Sequence, residues 1–133
     1  MANEAICYET PTIFSRVTVD NTIAVPIGTI MELDTGTNLA SASDADNDLF
    51  GGIAWEEKTA SDGLTELTVA LNGQWGLKAT AAAITAGQMV NLAGINVVNA
   101  GVNGDLEVGS LIGKAIQTTA GSEYIRVRVG SFV

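Results

Sequence analysis

The chain contains no histidine, and that absence excludes several kinds of chemistry. Histidine is the commonest general base near neutral pH, the usual partner of serine and cysteine nucleophiles, and a frequent ligand of zinc and iron. Neither the glycine-lysine pattern of a P-loop nor the three-glycine pattern of dinucleotide-binding proteins occurs. The sequence therefore predicts a protein that is not an enzyme, with no catalytic residues, no cofactor and no metal.

Cysteine and cationic residues are also scarce. Cys7 is the only cysteine, so the chain forms no internal disulfide, as is typical of proteins that fold in a reducing cytoplasm. Six lysines and arginines stand against fifteen aspartates and glutamates, for a formal net charge of −9. Nucleic-acid binding depends on cations that neutralise phosphates, and no apolar run approaches the ~18 residues that span a membrane. We therefore expect neither nucleic acid nor membrane as a partner.

The back half of the chain weakly repeats the front half, in the same order. Three segments of the front half reappear at offsets of 59, 61 and 58 residues: 27–33 as 86–92, 52–54 as 113–115, and 67–71 as 125–129. We divide the chain into an N-terminal arm, residues 1–22, and one domain, residues 23–133. The half-repeats of that domain span about 24–73 and 84–131.

Short segments of alternating polarity indicate β-strands throughout the two halves. In residues 64–71 the side chains of Leu67, Val69 and Leu71 share one face, and Asp62-Gly63 before them is typical of a hairpin turn. The alanine-rich residues 79–86 fit one helical turn or a loop equally well. The pattern predicts an all-β fold: a small β-barrel or β-tulip-like domain of two quasi-repeated halves with an extended N-terminal arm.

The spacing Asp44-x-Asp46-x-Asp48 is the one metal-like motif in the chain. An EF-hand loop needs glycine at its sixth position and glutamate at its twelfth, and these positions hold Leu49 and Trp55 here. The motif therefore indicates a solvated acidic loop. A loose calcium site at an assembly contact stays open as the alternative.

Aromatic and arginine residues provide the remaining candidates for binding. Trp55 and Trp75 fit sugar-stacking platforms, or core and interface positions, which are commoner for tryptophan in small β domains. Arg126 and Arg128 share one face of the last predicted strand with Tyr124, which fits an anion-binding stripe or pairing with acids of a neighbouring strand or subunit. We take Trp55, Trp75, Arg126 and Arg128 as candidate subunit-interface residues.

Four segments carry a resemblance to a known family. They are Val25-Pro-Ile-Gly-Thr-Ile-Met-Glu-Leu-Asp34, Gly52-Ile-Ala54, residues 65–73, and the run from Gly73-Gln-Trp-Gly-Leu77 to Ala86-Gly-Gln-Met-Val90. With these motifs the chain resembles the head decoration, or capsid cement, proteins of tailed bacteriophages, of the lambda type or a related one. The resemblance covers residues 24–129.

The resemblance implies a structural protein of the virion, made in the cytoplasm of the host bacterium. Such proteins bind the major capsid protein on the outer surface of the expanded capsid, typically as homotrimers, and stabilise contacts between capsomers. In lambda-type members an N-terminal arm orders on the capsid and adds a strand to a capsid-protein sheet. On that basis our candidate capsid-binding residues are Ile6, Tyr8, Ile13, Phe14 and Val17. The alternatives are another virion β module, of the tail or baseplate, and a small glycan-binding module.

Overall fold

The computed structural model describes residues 2–102 and 109–131, and the regular structure in these ranges is entirely β. The expected all-β class is confirmed, and no membrane-spanning helix occurs in the described ranges. In residues 79–86, the region left open between a helical turn and a loop, Ala79 ends a strand and the other residues form a loop. The strands are β1 (Ile6–Glu9), β2 (Phe14–Thr18), β3 (Ile30–Leu33), β4 (Ala40–Ala42), β5 (Phe50–Ala54), β6 (Glu66–Ala70), β7 (Gly73–Ala79), β8 (Met89–Gly94), β9 (Val97–Ala100), β10 (Leu111–Ala115) and β11 (Tyr124–Val129).

The strands form two sheets, one of which closes into a small barrel. The first sheet has the order β1-β7-β11-β10-β8-β9, and a parallel pairing of β7 with β9 joins β7 to β9 in a ring of five strands. Strand β1 lies outside this ring, antiparallel to β7. The second sheet has the order β2-β6-β5-β3-β4, so β2 and β4 are its end strands.

The two halves expected from the sequence have the same topology, and the structure extends them by one strand each. Strands β2 to β6 of the second sheet occupy the same spatial order as β7 to β11 of the barrel. The turn geometry repeats as well, because left-handed backbone recurs at Gly28 and Gly87 (φ 88° and 95°). The isolated bridge between Val25 and Lys58 has its counterpart between Ile84 and Thr119.

Alternating apolar residues fill the core of each half. In β11 every second residue is buried, so its polar partners face outward. The barrel half packs the fully buried Leu77, Leu92, Ile112 and others into one cluster, and the first half forms a smaller cluster around Met31 and Leu67. Burying each such side chain contributes roughly 1.5–3 kcal/mol of hydrophobic free energy.

The N-terminal arm is extended, as expected, and both of its strands pair within the chain. β1 lies along the first half of β7, and β2 lies along β6. The Ala5 N–H donates to the Gly28 carbonyl at 2.8 Å, which ties the start of the arm to the first half. Gly76 lies under the Tyr8 ring, where an added Cβ would come within 2.8 Å of a ring carbon. Val19, beyond β2, is buried.

A buried lysine holds the end of the arm against the loop that follows β5. The side chain of Lys58 is 0% exposed, and its ammonium forms an ion pair with Asp62 at 3.3 Å. The same ammonium donates to the carbonyls of Asn21 (2.6 Å), Ile23 (2.9 Å) and Thr59 (3.1 Å). All three donors of the ammonium are therefore used where water does not reach.

We predict that Lys58→Met lowers the free energy of unfolding by about 2–4 kcal/mol, because it removes the donor shared by three carbonyls and leaves Asp62 without its cation. Urea denaturation followed by tryptophan fluorescence measures the loss. Lys114→Met is the control, since the Lys114 ammonium makes no ion pair with the described residues, and it should change stability by less than about 0.5 kcal/mol. Equal, small effects of both substitutions would contradict the anchoring role.

Candidate functional site

The candidate capsid-binding residues remain at the surface although their strands are paired. Ile6 and Tyr8 on β1 are 46% and 48% exposed. Ile13 and Phe14, at the start of β2, are 55% and 42% exposed, and Val17 is half-buried. A paired strand holds its exposed side chains in fixed directions, so these residues are presented to a partner without further ordering of the backbone.

An aromatic cluster runs from the surface of β2 into the core. The Phe14 and Trp55 rings have centroids 5.5 Å apart, and the Trp55 and Trp75 rings pack edge to face at 6.0 Å. Trp75 is only 3% exposed, and its Nε1 donates to the Asn72 carbonyl at 3.0 Å. Trp75 is therefore a core residue that leaves only a small part of its surface exposed. Of the two candidate tryptophans, Trp55, which is half-buried, keeps a surface that another molecule can contact.

An apolar groove of about 270 Å³ lies beside this cluster, between β1 and the turn before β3. Ala5, Cys7 and Ile27 line it together with the two tryptophans. Cys7 is a free, exposed cysteine, and partial burial of its thiol raises the pKa of Cys7. The thiol is thus kept in its neutral form and adds to the apolar character of the groove.

The two candidate arginines share the exposed face of β11 with Tyr124, as the alternation predicts. The Arg126 guanidinium lies 4.3 Å from the centroid of the Tyr8 ring, a cation–π contact, and its Nη1 donates to Gln74 Oε1 at 3.4 Å. Arg126 thereby holds β1 from two strands away. Arg128 is exposed and faces Lys114 across β10 and Gln74 across β7. Its neighbours are therefore not acids, and its interface role stays a prediction.

Three carboxyl groups meet where β3 lies against the loop before β5. Oxygens of Glu32, Asp44 and Asp48 lie within 4.8 Å of one another. Asp46, the central residue of the sequence motif, is not one of them and instead bridges to Ala93. Sequence spacing gave no signal for Glu32, which the strand register alone brings to the loop.

Protonation differs sharply between the carboxyl groups of this cluster. Burial raises the pKa of Glu32 to about 7, and its hydrogen bond to Asp48 adds to the shift. Burial also acts to raise the pKa of Asp48, but the backbone N–H groups of Asp44 and Ala45, both at 2.8 Å, lower it on balance. Below pH 7 the cluster therefore holds a protonated Glu32 that donates to an ionised Asp48.

No protein-family model matches this chain, and no curated protein matches it either. A functional assignment must therefore come from the geometry of its own residues. That geometry comprises exposed apolar side chains on both strands of the arm, and an aromatic cluster with an apolar groove beside it.

The carboxyl cluster predicts a pH dependence of stability. Because the pKa of Glu32 is higher in the folded chain than its ordinary value of 4.5, the folded state binds the extra proton between pH 4.5 and about 7. The free energy of unfolding should therefore fall as pH rises through that window, by about 1 kcal/mol or less for a partly solvated pair. Glu32→Gln should remove this slope, as measured by urea denaturation at pH 5, 6, 7 and 8. Parallel profiles for the two proteins would contradict it.

Proposed function

We propose that this protein is a structural protein of a phage virion that binds the outer surface of the expanded capsid and stabilises contacts between capsomers, as a homotrimer. The observation that carries the proposal is the concentration of exposed apolar side chains on the arm. Four of the eleven large exposed apolar side chains of the described residues lie within residues 6–14. Apolar groups clustered at a surface are typical of a protein contact.

The charge and the compact β fold support such a role. A net charge of −9 disfavours contact with packaged nucleic acid and keeps the free protein soluble. A ligand that binds only the expanded lattice stabilises that lattice by mass action. In a homotrimer on a symmetric shell, several weak and identical contacts act together, so no single contact needs to be strong.

The way the arm would act differs from the lambda-type picture. Both arm strands already pair with strands of this chain, so we assign the capsid contact to the side chains that they present. Deleting residues 2–20 would also remove an end strand of the second sheet and the buried Val19. That deletion is therefore expected to unfold the first half, and single substitutions at exposed positions are the sharper test.

Ile13→Asp should weaken binding to expanded capsids by at least about tenfold, because it places a charge in an apolar contact. Co-sedimentation with mature heads purified without this protein measures the affinity. Ile95→Asp is the matched control, since Ile95 is 53% exposed against 55% for Ile13 and lies outside the arm. Equal affinities of the two variants and the unmodified protein would contradict the role of the arm.

A cryo-EM map of particles that carry this chain tests the location directly. The proposal requires density on the outer surface of the head, at threefold positions. Density on the tail or baseplate would instead assign the chain to another virion β module. A glycan-binding module is disfavoured because Trp75 is buried, so the two tryptophans do not form a paired stacking platform. Sugar binding that is lost in Trp55→Ala would support that alternative.

A further inference from the structure

The two halves of the chain differ at one seam. In the second half, β7 and β9 pair in parallel through Lys78 with Val97 and Ala79 with Val98, and this pairing closes the barrel. The strand registers show the equivalent positions in the first half. Thr18 and Val19 correspond to Lys78 and Ala79, and Leu39 and Ala40 correspond to Val97 and Val98. The two corresponding strands, β2 and β4, lie wholly within the described residues and do not pair with each other.

Both edges of this open seam carry backbone groups that face away from their own sheet. The Val19 N–H donates to Thr65, and the Leu71 N–H donates to the Ile13 carbonyl, so the odd-numbered residues of β2 bond to β6. Alternation along an antiparallel pair then directs the N–H and C=O groups of Phe14, Arg16 and Thr18 outward.

The same reasoning applies to β4. The Asp34 N–H donates to the Leu39 carbonyl, and the Ser43 N–H donates to the Ile30 carbonyl. The odd-numbered residues of β4 therefore bond to β3, and the backbone groups of Ala40 and Ala42 face the seam or the solvent beyond it.

A groove of about 380 Å³ occupies the seam. Val17 and Thr18 line one side, and Leu39 and Ala40 line the other. Ala40 is buried and Val17 is half-buried, so the groove holds apolar side chains between two rows of backbone hydrogen-bonding groups. Arg16, Asp34 and Asn38 add polar side chains to its lining. A cleft of this kind matches an extended polypeptide, because such a segment offers a donor and an acceptor on each of its edges.

We propose that this seam receives an extended strand of the capsid surface, which closes the first half by bridging β2 and β4, whereas the second half closes by direct pairing of β7 with β9. Strands β7 and β9 run parallel to each other, and so by correspondence do β2 and β4. One inserted strand is therefore able to run antiparallel to both, the more stable arrangement per residue. The inserted strand would pair with both end strands of the second sheet, so that sheet would no longer have exposed edges.

Two features of the structure support this occupant, and the inference rests on the proposed function. Strand β7 is the counterpart of β2. On the edge of β7 that matches the free edge of β2, strand β1 pairs antiparallel with Gln74, Trp75 and Gly76. Strand β2, one edge of the seam, also begins at Phe14, directly after Ile13, and both residues are exposed and belong to the proposed capsid contact. The Arg16 guanidinium forms ion pairs with Glu56 and Glu66 at 3.5 and 3.9 Å, so its charge is already compensated. We therefore expect the inserted strand to be recognised by its backbone and apolar side chains rather than by charge.

A reversible crosslink tests the seam. In a Cys7→Ser background, Thr18→Cys combined with Leu39→Cys places a cysteine pair across the open seam, and Lys78→Cys combined with Val97→Cys places the same pair across the closed one. Because an inserted strand needs two strand spacings, roughly 10 Å, between β2 and β4, each pair is bridged by a disulfide-containing bismaleimide of about that length rather than by a direct disulfide. Mature heads purified without this protein are the probe, and co-sedimentation is measured before and after reductive cleavage of the bridge. The bridge should weaken binding at least about tenfold for the first pair only, and its cleavage should restore binding.

The outcomes separate this inference from the proposed function. If the bridged first pair binds heads as well as its cleaved form, the seam does not receive a strand, while capsid binding stands. If the bridge instead changes only the oligomeric state in sedimentation velocity, the occupant is a second copy of this chain and the inference is overturned. If not even the unmodified protein binds heads, the proposed function fails and the inference fails with it.

Hydrogen exchange provides a second measurement that needs no crosslink. Binding to heads should slow exchange in peptides that cover β2 and β4, because the outward N–H groups of Arg16, Thr18 and Ala42 gain acceptors. A peptide that covers β9 is the control, since its seam is already closed. Slowing at β2 and β4 supports strand insertion, and unchanged exchange there during confirmed binding overturns it.

Discussion

The rest of the structure depends on β7, which is paired along both of its edges. One edge lies against β11 over six residue pairs. The other edge is divided between β1 near its start and β9 near its end. This double pairing closes the barrel and fixes the arm, and Gly76 leaves room for the Tyr8 ring, which an added Cβ would approach to 2.8 Å. The barrel half is thereby left without a long free edge, so any capacity for edge-on binding belongs to the first half.

The open seam of the first half has a local cause in the sequence. Strand β4 has three residues, Ala40-Ser41-Ala42, whereas its counterpart β9 has four and brings Val98 where β4 has the smaller Ala40. Small side chains bury little apolar area, and a short edge strand gains few ladder hydrogen bonds. Val98 is fully buried in the barrel core, and that burial favours the pairing of β9 with β7. Duplication of the topology thus left one closed barrel and one sheet whose ends do not meet.

Local patterns predicted the fold class and the repeat, because alternation and turn glycines act within a few residues. They did not predict which strands receive the arm, since β1 pairs with residues about seventy positions later, through a register that alternation alone cannot specify. The same limit explains the buried role of Trp75 and the contact of Arg126 with Tyr8. Glu32 escaped notice for a related reason: its carboxyl partners are joined to it by strand register rather than by sequence spacing.

The difference between the closed barrel half and the open first half affects the free energy of binding. Binding orders segments that are mobile in the free protein, and this loss of conformational entropy opposes association. Strands that are already paired along one edge lose little further entropy. The arm strands and the open seam are held in this way by β6, β3 and β7, while Lys58 secures the connection between arm and sheet. Most of the entropy lost on binding would therefore come from ordering the extended segment of the partner. On a lattice with many identical sites such a contact can be individually weak, because its effect is multiplied by the number of copies that must release together.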